Sequence, residues 1–187
     1  MQSEAKGDRQ RPTAGEDRGV LLVLTGAGKG KSSSAFGMVA RALGHGRRAG
    51  VMRFLEEAGA DGAARFLRGQ PGVDWRVAGE GAAGEPGDGQ DRAEAARQAW
   101  AVARAWLSET GPELVVLDEL NIALRYEYLA LEEVLEDLAR RPAWQHVVVT
   151  GRYAQQPLME AADTVSEIKA VRHAHDAGVP AQPGLDR

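Results

Sequence analysis

The sequence predicts an α/β fold, a parallel β-sheet with helices on both faces. Three observations predict it. Short β-rich runs alternate with stretches of helical periodicity. The best of those runs are apolar throughout rather than at every second residue, as strands buried on both faces require. The first run breaks into a glycine- and lysine-rich loop that opens a helix. At 187 residues and 43% apolar content, the chain is long enough for one well-buried domain and too short for two comfortable ones.

Taken in order, residues 1–18 have almost no apolar side chains and mixed charges, which reads as a mobile polar leader before a single domain over 19–187. Strands are expected at 20–25, 49–54, 73–77, 114–117 and 146–150. Between them, Ala96, Trp100, Ala103 and Leu107 form a stripe at helical spacing, and Leu131, Val134, Leu135 and Leu138 form another. Both stripes read as core. Residues 79–89 are glycine-rich and expected to form a loop, and the Pro and Gly content after Ala177 reads as an extended tail.

Composition limits the partners. A net charge of -4 and a pI near 5.6 leave no general basic face for nucleic acid, so any anion must be bound locally. The absence of cysteine excludes disulfides, thiolate metal sites and cysteine nucleophiles. No apolar run approaches the ~20 residues of a membrane span, and no signal-peptide core is visible, so the expectation is a cytoplasmic protein with no membrane partner.

The loop carries the strongest chemical signal. In L-L-V-L-T-G-A-G-K-G-K-S-S-S, Gly26, Gly28 and Gly30 let the backbone turn tightly and gather N–H groups on one anion. The helix expected from near Ser32 points its positive dipole end at the same place. Lys31 adds a mobile charge, and the Ser32 hydroxyl can ligate Mg²⁺. This is a P-loop NTPase-like cradle with unusual spacing: Ala27, Gly28 and Lys29 are all that separates Gly26 from Gly30, and Thr25 stands where the usual first glycine would be. A second lysine, Lys29, and Ser33 complete it. A basic surface turn is the bland alternative, and the strand–loop–helix context argues against it.

A second motif, L-V-V-L-D-E-L, ends a buried strand in adjacent carboxylates, Asp118 and Glu119. In a parallel sheet that end faces the ligand crevice, where a carboxylate beside Ser32 would hold Mg²⁺ against phosphate. The same pair could instead cap a helix. Arg152, two residues past the last expected strand, lies at the same edge and either contacts nucleotide or makes a structural ion pair. In V-R-H-A-H-D-A-G-V, His173 and His175 at i and i+2 do not share a helix face, so His173 reads as a hydrogen-bonding group toward nucleotide or a neighbouring subunit, or as a solvated loop residue, before a metal ligand. His45 with its flanking glycines reads as a helix end.

Six motifs in one order, R-G-V-L-L-V-L-T-G-A-G-K-G-K-S-S-S-A-F-G, A-R-A-L-G-H-G, V-V-L-D-E-L, V-V-V-T-G-R, A-D-T-V-S-E-I and H-A-H-D-A-G-V-P-A-Q-P-G-L-D, resemble the corrinoid adenosyltransferases of the CobA, BtuR and CobO type over nearly the whole chain. The resemblance implies a P-loop α/β fold, usually a homodimer, that moves the 5′-deoxyadenosyl group of ATP to the cobalt of a reduced corrinoid and releases triphosphate. It also implies that ATP is held the opposite way round from ordinary P-loop hydrolases, in keeping with the shortened loop. By resemblance, Gly26 to Ser33 bind triphosphate, Lys31 and Glu119 are the catalytic pair, Ser32 and Glu119 hold Mg²⁺ with Asp118 in support, and Arg152 and His173 lie near the nucleotide. A flavoprotein such as flavodoxin is the implied reductant.

Three departures stand out. Gly81, Ala82, Ala83 and Gly84 replace the G-F-T-W of many members, Arg53, Phe54, Leu55, Glu56 and Glu57 replace Q-F-I-K-G, and the leader is polar with Pro12 and Gly15. The first puts the corrinoid side in question more than the ATP side. Two other classes are compatible with the cradle: a phosphoryl-transferring ATPase or kinase, and a non-catalytic sensor or corrinoid-handling protein.

Overall fold

The structure, a computed structural model, describes residues 18–55, 62–80 and 89–185. The polar leader apart from Arg18, the Gly81 to Gly84 quartet, and Glu56 and Glu57 lie outside the described residues. Six strands form one sheet: β1 (Leu21–Thr25), β2 (Ala49–Arg53), β3 (Val73–Val77), β4 (Leu114–Asp118), β5 (His146–Thr150) and β6 (Thr164–Glu167). Their spatial order is β3-β2-β4-β5-β1-β6 and every pairing is parallel, so all six carboxyl ends share one edge.

The connections carry helices α1 (Lys31–Gly44), α2 (Gly62–Arg68), α3 (Gly89–Trp106), α4 (Leu120–Arg125), α5 (Leu131–Arg140) and α6 (Gln156–Ala161). Strand side chains alternate between the two faces, as a period of two demands. Leu21, Val23, Val115, Leu117, Val147 and Val149 pack with α3 to α6 on one face. Leu24, Val51, Leu114, Val116 and Val148 pack with α1 and α2 on the other. Burial of both faces explains why β2 and β4 are buried at every position, and why they are legible as continuous apolar runs.

Both predicted helical stripes are core. Ala96, Trp100 and Ala103 are buried on α3, with Leu107 packed just beyond its end, and Val134 and Leu138 are buried on α5 with Leu131 and Leu135 beside them. The two helices are tied by the Trp100 indole, which donates to Asp137 at 3.0 Å. His45 caps the end of α1. The five expected strands are present within one residue at each end. The sixth, β6, was not expected: all four of its residues are exposed, so no apolar run marks it. It is held at the sheet edge by backbone pairing to β1 and by Asp163, which accepts from the Leu21 N–H at 2.9 Å and pairs with Arg18.

Candidate functional site

The loop between β1 and α1 is built by close approach. The segment after β6 passes over it, with the Gly28 N–H donating to the Ile168 carbonyl at 2.7 Å. A Cβ on Gly28 would stand 2.7 Å from the Lys169 carbonyl group, and one on Gly26 2.5 Å from the Ile168 oxygen. Gly30 is required by conformation instead, with φ at 120°. Thr25, in place of the usual glycine, is also explained: its Oγ1 accepts from the Ala154 N–H at 3.2 Å and ties the end of β1 to the segment after β5.

Helix α1 has no side-chain cap, and its first backbone bond runs from the Ser34 N–H to the Gly30 carbonyl. The N–H groups ahead of Ser34 therefore lack helix acceptors and face the loop end. Lys31 is buried, 7% exposed, and its Nζ donates to the Gly28 carbonyl at 2.7 Å. Burial pushes its pKa below the ordinary lysine range; Glu119 and Asp118 oppose that shift and Arg152 adds to it. Lys31 thus senses all three of these charges.

The adjacent carboxylates divide their work. Asp118 is 1% exposed. Its Oδ1 accepts from the Thr150 hydroxyl at 2.7 Å and its Oδ2 from Arg53 Nε at 3.0 Å. It does not line the cavity, so of the expected carboxylate pair only Glu119 reaches it. Glu119 stands at the N-cap position of α4 without a capping bond from its side chain, in the left-handed region at φ 59°. Helix capping is therefore not what its carboxylate does.

One cavity of about 610 Å³ opens at the carboxyl ends of the strands, within the range of small-molecule sites. Ala27 to Ser33 form one wall, and Arg53, Glu119, Arg152 and His173 reach it from the ends of β2, β4, β5 and the segment after β6. Gly26 borders the loop without lining the cavity. His173 Nδ1 accepts from the His175 N–H at 3.2 Å, which fixes the ring against its own turn.

The chain matches the family model for ATP:corrinoid adenosyltransferase BtuR/CobO/CobP over residues 17–186. It belongs to that family. It is 53% identical over 180 residues to a corrinoid adenosyltransferase of Pseudomonas aeruginosa, covering 96% of this chain and 89% of the relative. Identity to the corrinoid adenosyltransferase of Escherichia coli is 40% over 181 residues, covering 97% and 92% of the two chains. A solved KaiC-like protein from Pyrococcus horikoshii aligns with a TM-score of 0.45 and 16% identity over 81% of this chain and 73% of that one.

In this adenosyltransferase-family chain the cavity has lining groups that the motifs did not single out as site residues: Phe36, Arg53, Gly62, Ala63, Gly184 and Leu185. Arg53 left a signal, a cation ending an otherwise buried strand. Phe36 is both core and cavity wall. Gly184 and Leu185 stand in the last of the six quoted motifs, but nothing in that string shows that the tail returns to the phosphate loop so far back in the chain.

Proposed function

We propose that this protein transfers the 5′-deoxyadenosyl group of ATP to the cobalt of a reduced corrinoid and releases triphosphate. The observation that carries the reading is the convergence on one cavity of a shortened phosphate loop, buried Lys31, Ser32 and the Glu119 carboxylate, in a chain of this family. Cob(I) is an unprotonated nucleophile. Its electron pair forms the Co–C bond to C5′ as the C5′–O5′ bond breaks, and the triphosphate leaves with that bond's electrons. No general base is needed.

The residues therefore act by position and charge. The loop and first-turn N–H groups between Ala27 and Ser33, apart from that of Gly28, which is bonded to the Ile168 carbonyl, hold the triphosphate with the Lys29 and Lys31 ammoniums and stabilise the charge that grows on it. Orientation of C5′ for in-line displacement supplies up to about 7 to 11 kcal/mol in favourable cases. Arg152 and His173 border the nucleotide. Ser32 and Glu119 are hard oxygen donors of the kind Mg²⁺ takes together with phosphate oxygens. Gly151 leaves the carboxylate room, since a Cβ there would stand 3.1 Å from Glu119 Oε2. When bound, Mg²⁺ would withdraw charge from the leaving triphosphate. Asp118 supports this arrangement from beneath.

We also infer a cytoplasmic homodimer served by a flavoprotein reductant; sedimentation giving only monomer at micromolar concentration would contradict the dimer. The activity is tested anaerobically with Mg-ATP and chemically reduced cob(I)alamin, and in parallel with a cobyrinic acid diamide. Loss of the cob(I) absorbance with appearance of an adenosylcorrinoid is expected, and ATP binding without Co–C bond formation overturns the reading.

A further inference from the structure

Arg53 ends β2 in the floor of the cavity and is only 7% exposed. Its guanidinium lies 5.4 Å from the centre of the Phe36 ring and 5.5 Å from that of Trp75, which fixes the group in place. From there Nε donates to Asp118 Oδ2 at 3.0 Å, the Thr150 hydroxyl donates to Asp118 Oδ1 at 2.7 Å, and the Glu119 N–H donates to the same hydroxyl oxygen at 3.0 Å. Three neighbouring strands, β2, β4 and β5, thus deliver one connected chain of polar bonds to the backbone of Glu119.

That backbone needs holding. Left-handed φ at a residue with a side chain is strained, and persists where the surroundings over-determine it. Each link is directional: Asp118 presents one oxygen to each partner, and the Thr150 hydroxyl has its proton committed to Asp118, which leaves a lone pair for Glu119. We propose that Arg53 is a positioning residue for Glu119, acting through Asp118 and Thr150 to keep the Glu119 carboxylate in the cavity. The proposal rests on the reading above that Glu119 holds the metal end of Mg-ATP. It assigns Asp118 to orientation and not to ligation.

The test is ATP affinity by titration calorimetry, in Mg²⁺ and in EDTA, for the full chain and for Glu119→Gln, Arg53→Gln, Arg53→Lys, Thr150→Val and Thr150→Ser, with a melting curve for each. Loss of an outer partner of a metal ligand typically lowers metal affinity about 10- to 100-fold. Arg53→Gln and Thr150→Val are expected to lose Mg²⁺-dependent affinity by about 10-fold while EDTA affinity stays within about twofold, and Thr150→Ser to restore it. Removing Arg53 strands a buried carboxylate, so should Arg53→Gln fail to fold, Arg53→Lys and Thr150→Val carry the same test. Unchanged Mg²⁺ dependence in whichever of Arg53→Gln, Arg53→Lys and Thr150→Val fold overturns the proposal, as does a parallel loss in Mg²⁺ and EDTA that merely follows melting temperature. If Glu119→Gln itself leaves the Mg²⁺ dependence intact, the metal role of Glu119 falls first and the proposal with it.

Discussion

Lys31 is a buried cation whose hydrogen-bond acceptor is its own loop, the Gly28 carbonyl. Burial lowers its pKa, and a bound triphosphate must raise it again, since the anion favours the charged ammonium. The sign follows: ATP binding takes up protons from the lowered pKa of the free protein upward, and affinity falls as pH rises through that window. Calorimetry at alkaline pH in buffers of different ionisation enthalpy should register the uptake, and Lys31→Met should lose it. In single-turnover assays Lys31→Ala is expected to slow adenosylation about 100- to 1,000-fold, the scale of removing one preorganised charge donor. Near-normal turnover would refute the role. Two glycines give a paired check by thermal denaturation. Gly28→Ala drives a methyl into the 168–169 backbone and should cost about 1–3 kcal/mol. Gly37→Ala on α1 meets nothing within 4 Å and should stabilise by about 0.5–1 kcal/mol. At this scale the loop and Glu119 were legible because each motif is contiguous. The Arg53–Asp118–Thr150 set was not, because its bonds join residues 65 and 32 positions apart.

Among the elements, β6 is the informative one. Strands buried on both faces announce themselves as apolar runs, as β1, β2, β4 and β5 did, whereas the edge strand β3, V-D-W-R-V, showed only in its β-rich residues. A fully exposed edge strand of sequence T-V-S-E has nothing to announce, yet it directs the segment that covers the phosphate loop. Its anchor is Asp163, which accepts from Leu21 and is paired with Arg18 and, at 3.8 Å, with Arg141. Asp163→Ala is expected to loosen β6 from β1 before the rest of the sheet yields. Hydrogen exchange should then quicken at 164–169 while β4 and β5 keep their protection, and uniform loss of protection would show that the edge is not a separate unit. The stripes on α3 and α5 were legible for the opposite reason, since a helix that buries one face must repeat its apolar residues at the helical period.

In the molecule as a whole, a parallel sheet with helices on both faces leaves one edge for chemistry, where loops from β1, β2, β4, β5 and β6 meet. The cradle, the carboxylate and the cations come to that edge from positions spread between Ala27 and Leu185, and no basic face is needed to hold a triphosphate in an acidic protein. The central claim is that the cavity delivers the carbon end of ATP to a metal nucleophile and lets the intact triphosphate go. Its most direct test is an anaerobic reaction of the protein with Mg²⁺, cob(I)alamin and ATP labelled at the γ-phosphorus, counting Co–C bonds formed against labelled products. One labelled triphosphate for each adenosylcobalamin is the expected result, and label released as orthophosphate with ADP would contradict the account.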